Sequence, residues 1–135
     1  MDGQDAAAFE IEERETYIVV RQRRVFTDRP EAESMLTEIT ARLKRLGLAK
    51  IVVDQRRIGP HDDDVRSAMW DWAKGAGRRI ATALVVDNDL ARVRANMTAL
   101  SSGLQLRAFA VQAQAESWLS ATPARRPTAE LPPVD

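Results

Sequence analysis

The sequence contains no cysteine and a single histidine, His61. The first absence removes disulfide frameworks, thiol nucleophiles and thiolate metal sites. The second removes multi-histidine metal centres and any scheme needing two imidazoles. No GxSxG or GxxxxGK[ST] occurs, so a nucleophile elbow and a P-loop are both missing. No apolar run approaches the ~20 residues of a membrane-spanning helix. The N-terminal MDGQDAAAF is acidic and lacks the basic and apolar regions of a secretory signal, so the expected location is the cytoplasm. Surplus charge is also missing. The 20 basic residues balance 20 acidic ones, which argues against general nucleic-acid binding.

What is present fits one globular domain. The chain has 135 residues, 44% hydrophobic and 30% charged, enough to bury about two thirds of its unfolded surface around one core. Residues 1–7 are expected to fray. Residues 121–135 hold four prolines and little to pack, and read as a flexible tail. The domain is therefore expected over 8–120.

Phe9 and Ile11 alternate with Glu10 and Glu12, the period of a half-buried strand. Tyr17 to Val20 is a β-branched second strand, with EERET as the reversal between them. Arg21, Arg23 and Arg24 are expected on a basic loop, either simply solvated or able to meet acidic lipid or protein. Asp28 and Glu31 have capping-box spacing. Met35, Leu36, Ile39, Leu43 and Leu46 recur at helical spacing until Gly47. Lys50–Asp54 predicts a third strand. A second helix opens at Asp62–Asp64 and ends near Gly75 or Gly77, with Val65, Ala68, Met69, Trp72 and Ala76 on its inner face. KGAGRR (74–79) follows a helix, so it reads as a stop and turn rather than a phosphate loop.

Arg79 to Val86 predicts a strand covered on both faces. Asp87 is the expected cap of a third helix with a buried stripe of Leu90, Val93, Met97 and Leu100. A strand over 104–110 and a helix over 112–119, with Ala115, Trp118 and Leu119 inward, complete the order β-β-α-β-α-β-α-β-α. This is an α/β domain with a mixed, mostly parallel five-stranded sheet, about four helices and right-handed crossovers.

The candidate site is the stretch Lys50–Trp72. Asp62, Asp63 and Asp64 suit either a Mg²⁺ or Ca²⁺ site completed by Asp54 and Asp87, or simply the start of a helix, where carboxylates meet the positive dipole end. His61 reads as a solvated loop histidine, or as a donor to Asp63 or Asp64. Arg56 and Arg57 either pair with these acids or recognise a partner. Trp70 lies off the buried face beside Arg66 and Lys74, where a tryptophan either marks a contact surface or packs against the sheet edge or a neighbouring helix. Trp70→Ala is expected to weaken association while leaving the melting temperature nearly unchanged. A phosphoaspartate receiver fits poorly, because Arg21–Arg24 occupy the place of its acidic pair.

The order of elements and the central unit resemble the STAS superfamily, in its SpoIIAA-like branch. Asp54 matches the aspartate after the third strand, Ile58 the apolar position four residues on, and Asp62 the second aspartate of the Asp-Ser-Ser-Gly motif. The segment LVVDNDLARVRANM…LRAFAVQAQAESWL is similar to the same branch. The resemblance covers about residues 8–120 and implies a non-enzymatic regulatory domain of bacterial signalling. Where such domains carry a phosphorylatable serine, this chain has Asp63 and Asp64, with Val65 for the glycine and Ser67 a turn further on. The implied switch is therefore expected to be absent, with a fixed charge at the helix start.

Arg56, Arg57, His61, Asp62, Asp63, Asp64, Arg66 and Trp70 form the expected contact surface. The partner is a protein or a second copy (a homodimer). No catalytic residue, metal or cofactor is assigned. The alternative is a small-ligand or lipid-binding domain, as in CRAL-TRIO folds, with a pocket between the second and third helices. Against it, the apolar positions are expected to be used up as core.

Overall fold

The structure is a computed structural model and describes residues 8–56 and 58–123. The expected fraying of 1–7 and most of the expected tail lie outside the described residues. Ten elements follow one another: β1 (Phe9–Glu13), β2 (Ile18–Gln22), α1 (Arg29–Leu46), β3 (Lys50–Asp54), α2 (Asp63–Lys74), a 3-10 turn (Ala76–Arg79), β4 (Ala81–Val85), α3 (Asp89–Ser102), β5 (Leu106–Phe109) and α4 (Gln112–Ala121). The strands lie in sequence order, β1-β2-β3-β4-β5, with β1–β2 antiparallel and the remaining pairs parallel. The expected α/β architecture is therefore the observed one.

Sheet alternation divides the core. Ile18, Val20, Ile51 and Val53 face α1 and α2, where Phe26, Met35, Ile39, Leu43 and Val65 meet them. Val19, Val52, Ala81, Ala83 and Val85 face the other way, onto Ala115 and Leu119 of α4. Beyond α4 that second face carries charge. Arg21 pairs with Glu10 and Glu12, and Arg14 with Glu12 and Glu116. The basic loop expected from Arg21, Arg23 and Arg24 is thus neutralised. Arg21 sits in β2, Arg23 pairs with Glu10 and Arg24 with Glu31.

α1 forms as its caps dictate. The Asp28 carboxylate accepts the Glu31 N–H at 3.0 Å, and Glu31 reaches back to the Thr27 N–H at 2.7 Å. Arg24 beside it, aided by the Thr27 N–H, outweighs burial and holds the Glu31 pKa at about 2. Gly47, at φ 69°, ends the helix in the left-handed region that favours glycine. Lys50 donates from Nζ to the Leu119 carbonyl at 2.7 Å, so the first residue of β3 closes the negative end of α4.

Several boundaries differ from expectation. β4 starts at Ala81, because Ala76–Arg79 forms the 3-10 turn, which leaves Ala76 exposed. β5 covers only 106–109, and α4 runs on to Ala121. The cap of α3 is Asn88, whose Oδ1 accepts the Ala91 N–H at 2.9 Å, and not Asp87.

The rotation of α3 is the largest correction. Leu90, Val93, Met97 and Leu100 are exposed, and the buried residues are Ala95 and Ala99. Asn96 accounts for this orientation. Its Oδ1 accepts the Ala108 N–H at 2.7 Å and its Nδ2 donates to the Ala108 carbonyl at 3.3 Å. Ala108 lies on the edge strand, so one side-chain amide closes part of an open sheet edge. The helix side bearing Asn96 must therefore turn inward, and alanines allow close approach there.

Candidate functional site

β3 delivers Asp54 and Gln55 to the carboxyl end of the sheet, the side where open α/β sheets meet their ligands. Asp54 is buried. Its Oδ1 accepts both the Arg56 backbone N–H and Nε at 3.0 Å, and its Oδ2 accepts Nη2 at 2.8 Å. Arg56 Nη2 also donates to Gln112 Oε1, 3.3 Å away at the start of α4. Burial raises the Asp54 pKa, but the Arg56 guanidinium and N–H overcome it and leave it below the usual carboxylate range. Arg56 is thus committed to Asp54 and not to the acids of α2.

A second polar cluster sits on the α1–α2 side. Gln22 is buried at the end of β2, in phase with Ile18 and Val20. Its Nε2 donates to the Arg24 carbonyl at 3.0 Å and contacts His61 Nε2 at 2.6 Å. Its Oε1 accepts from Gln55 Nε2 at 2.9 Å. These partners fix the amide orientation, so Gln22 donates to His61 Nε2 as well. His61 is then neutral with its proton on Nδ1. The ring stacks on Phe26, centroids 5.6 Å apart.

The expectations of a solvated His61, or of a donor to Asp63 or Asp64, are both overturned: the ring is a half-buried peg fastening the loop before α2 to β2. Burial chiefly lowers its pKa, the Arg66 charge lowers it further, and Asp62 opposes. Sequence reading missed Gln22 and Gln55. The usable signal was Gln22 falling on the buried phase of an alternating strand.

This histidine has a pH consequence. The unfolded chain takes up a proton near pH 6.5, whereas the folded protein resists until a lower pH. Stability is therefore full above about pH 6.5 and is lost as pH falls through the lowered folded value. Thermal melts between pH 7.5 and 5.5 are expected to fall more steeply for wild type than for His61→Gln, which keeps an acceptor but does not titrate. Equal slopes would contradict the assignment of a neutral ring.

Above this peg α2 begins. Asp62 is the N-cap residue without a side-chain cap bond. Asp62, Asp63 and Asp64 are all exposed, and Asp63 pairs with Arg66. Among the described residues no group of three His, Cys, Asp or Glu side chains is placed to hold a metal ion. Asp54, expected to complete such a site, is spent on Arg56. Ile58 is half-buried, and Arg57 lies outside the described residues. The groove between α1 and α2 is lined by Leu36, Thr40, Ala68, Asp71 and Trp72. Trp70, also on α2, is half-buried. Its loss is therefore expected to cost some packing and to lower the melting temperature, rather than leave it nearly unchanged.

No family model and no curated protein matches the sequence. A crystal structure of an uncharacterised protein from the DUF3478 family with a SpoIIAA-like fold, from Shewanella loihica PV-4, is similar in structure. The TM-score is 0.64 at 14% sequence identity, covering 83% of this chain and 92% of that one. At that identity the likeness is one of fold, and this chain has a SpoIIAA-like fold. Among the described residues no helix is long and apolar enough to cross a membrane.

Proposed function

We propose that this is a non-enzymatic regulatory domain, acting in the cytoplasm, that binds a protein partner through the start of α2. The supporting observation is the exposed Asp62–Asp64 run, carried on a loop fastened from below by His61, Gln22 and Gln55. A contact surface gains from such preorganisation, because less ordering entropy remains to be lost on binding. Asp54 and Arg56 brace the other side of the same loop. Arg66 and Trp70 extend the surface along the helix, and Arg57 is a further contact proposed from the sequence. The resemblance to regulatory domains with a phosphorylatable serine supports the same role. Asp63 and Asp64 stand in that place, each with a charge of about −1 against −1.5 to −2 for phosphoserine. The domain then acts constitutively, in the acid-bearing state.

Asp63→Arg/Asp64→Arg tests this reading. Both side chains are exposed, so the expected stability cost is about 1 kcal/mol, from the helix dipole. In affinity capture from the native host, wild type retains a partner that the double variant loses at least tenfold. Equal retention by the folded variant contradicts the proposal. Stoichiometric phosphorylation of Ser67 by host kinases contradicts the constitutive part of it.

A further inference from the structure

On α3, Leu90, Val93, Met97 and Leu100 are 57%, 46%, 65% and 84% exposed. Their spacing is 3-4-3, which is a-d-a-d of a heptad, the seam that a second helix fills in a coiled coil. The seam lies opposite Ala95 and Ala99, which pack inward. It is continuous over about 15 Å of helix, and monomeric proteins rarely leave contiguous apolar surface of this kind uncovered.

The flanking charges identify what covers it. With Leu90 and Met97 at a, Asp89 occupies a g position and Arg94 the e position of the next heptad. In a parallel pair of identical helices, g of one strand meets e of the other five residues on. Asp89 then faces Arg94 of the second copy, and Arg94 faces its Asp89, twice by symmetry. An antiparallel pair instead sets the two Arg94 side chains against each other. Asp89 is held in the isolated chain by Arg92 at 3.1 Å, with its side chain 90% exposed. Arg94 is exposed too, so both are accessible to a partner. Zero net charge on the whole chain adds no repulsion between copies.

We infer that α3 is the seam of a parallel, twofold homodimer, with Leu90, Val93, Met97 and Leu100 at its centre and Asp89–Arg94 pairs on its flanks. The twofold axis runs along the helices, and the two sheets lie on opposite sides of the pair. Two heptads make a seam smaller than a standard interface of ~1,600 Å², so the dimer is concentration-dependent. This surface is on a different helix from the proposed α2 contact, and the inference does not rest on that contact.

Sedimentation velocity from roughly 10 to 500 µM, a span that covers weak interfaces, provides the test. Wild type is expected to move from the 15.1 kDa monomer towards twice that mass. Leu100→Lys stays monomeric with an unchanged melting curve, because the site is exposed and a cation suits a helix C-terminus. Arg94→Asp weakens the dimer about tenfold by placing like charges at both flanks, and Asp89→Arg/Arg94→Asp restores it to within about threefold. Asp63→Arg/Asp64→Arg dimerises as wild type does, which separates this inference from the α2 proposal.

A wild type that remains monomeric at 500 µM overturns the inference. So does a dimer indifferent to Leu100→Lys, or one strengthened by Arg94→Asp. A monomeric protein that floats with phosphatidylcholine vesicles, and stops doing so on Leu100→Lys, also overturns it and assigns the face to a lipid surface.

Discussion

Gln22→Leu is expected to destabilise the domain by about 3 kcal/mol in urea unfolding, with the m-value unchanged. Leucine is close to glutamine in volume, so little packing is lost. The cost comes from what the amide leaves behind. Gln55 Nε2 keeps only a weak sulfur acceptor, Met69 Sδ at 3.9 Å, while the Arg24 carbonyl and His61 Nε2 lose their donor. Each unsatisfied buried group costs about 1–3 kcal/mol, and less where water reaches it. Gln55 and His61 are only half-buried, which keeps the total near the lower bound. The same substitution frees His61 Nε2 to accept a proton, so the acid-linked loss of stability should shrink in parallel. A variant as stable as wild type would mean that the cluster does not hold the loop.

Gly77→Ala is the second large effect. A Cβ at Gly77 would lie 2.6 Å from Cζ3 of Trp72 and 2.8 Å from its Cε3 and Cη2. The indole has little room to retreat, because Nε1 donates to Thr40 Oγ1 at 3.0 Å and that hydroxyl donates to the Leu36 carbonyl at 2.9 Å. Alanine for glycine would normally gain about 0.4–1 kcal/mol by restricting the unfolded chain. Overpacking against a pinned ring costs more, about 1–3 kcal/mol in a well-packed site, so a net loss near 2 kcal/mol is expected. Pairing Gly77→Ala with Trp72→Leu should recover part of it, since the substitutions share one contact. Strict additivity would place the strain elsewhere.

The legible parts of the sequence were those whose signals are local. α1 carries its own N-cap, buried stripe and glycine stop, and β3 is a β-branched run whose ends were read as Lys50 and Asp54. α3 was legible as a helix and illegible in its rotation. Leu90–Val93–Met97–Leu100 and Ala91–Ala95–Ala99 are both apolar stripes, and periodicity alone does not choose between them. The choice is made by Asn96 gripping Ala108, a contact twelve residues away that no local pattern carries. The rotation also bears on function. The expectation that these apolar positions are used up as core counts against a lipid-binding domain, and they are on the surface instead.

The β3–α2 loop is legible as a polar connection, and the contacts that hold it are not. The Asp54–Ile58–Asp62 spacing marks the loop between β3 and α2, on which the proposed contact surface lies. A lone histidine in a polar stretch gives no sign that a glutamine from β2 lies beneath it, 39 positions away in the chain. The acidic run that suggests a metal site is an exposed helix start, and the buried Asp54 carboxylate is occupied by arginine.

Site-specific photo-crosslinking in the native host tests the proposed contact most directly. A photoreactive amino acid at Ser67, exposed on α2 one turn past the acids, is expected to capture a partner in an adduct of defined mass. The same group at Glu38, exposed on α1, is expected to capture none. An adduct at Ser67 that disappears with Asp63→Arg/Asp64→Arg is the predicted result. No adduct at Ser67, or identical adducts at both positions, would contradict the account.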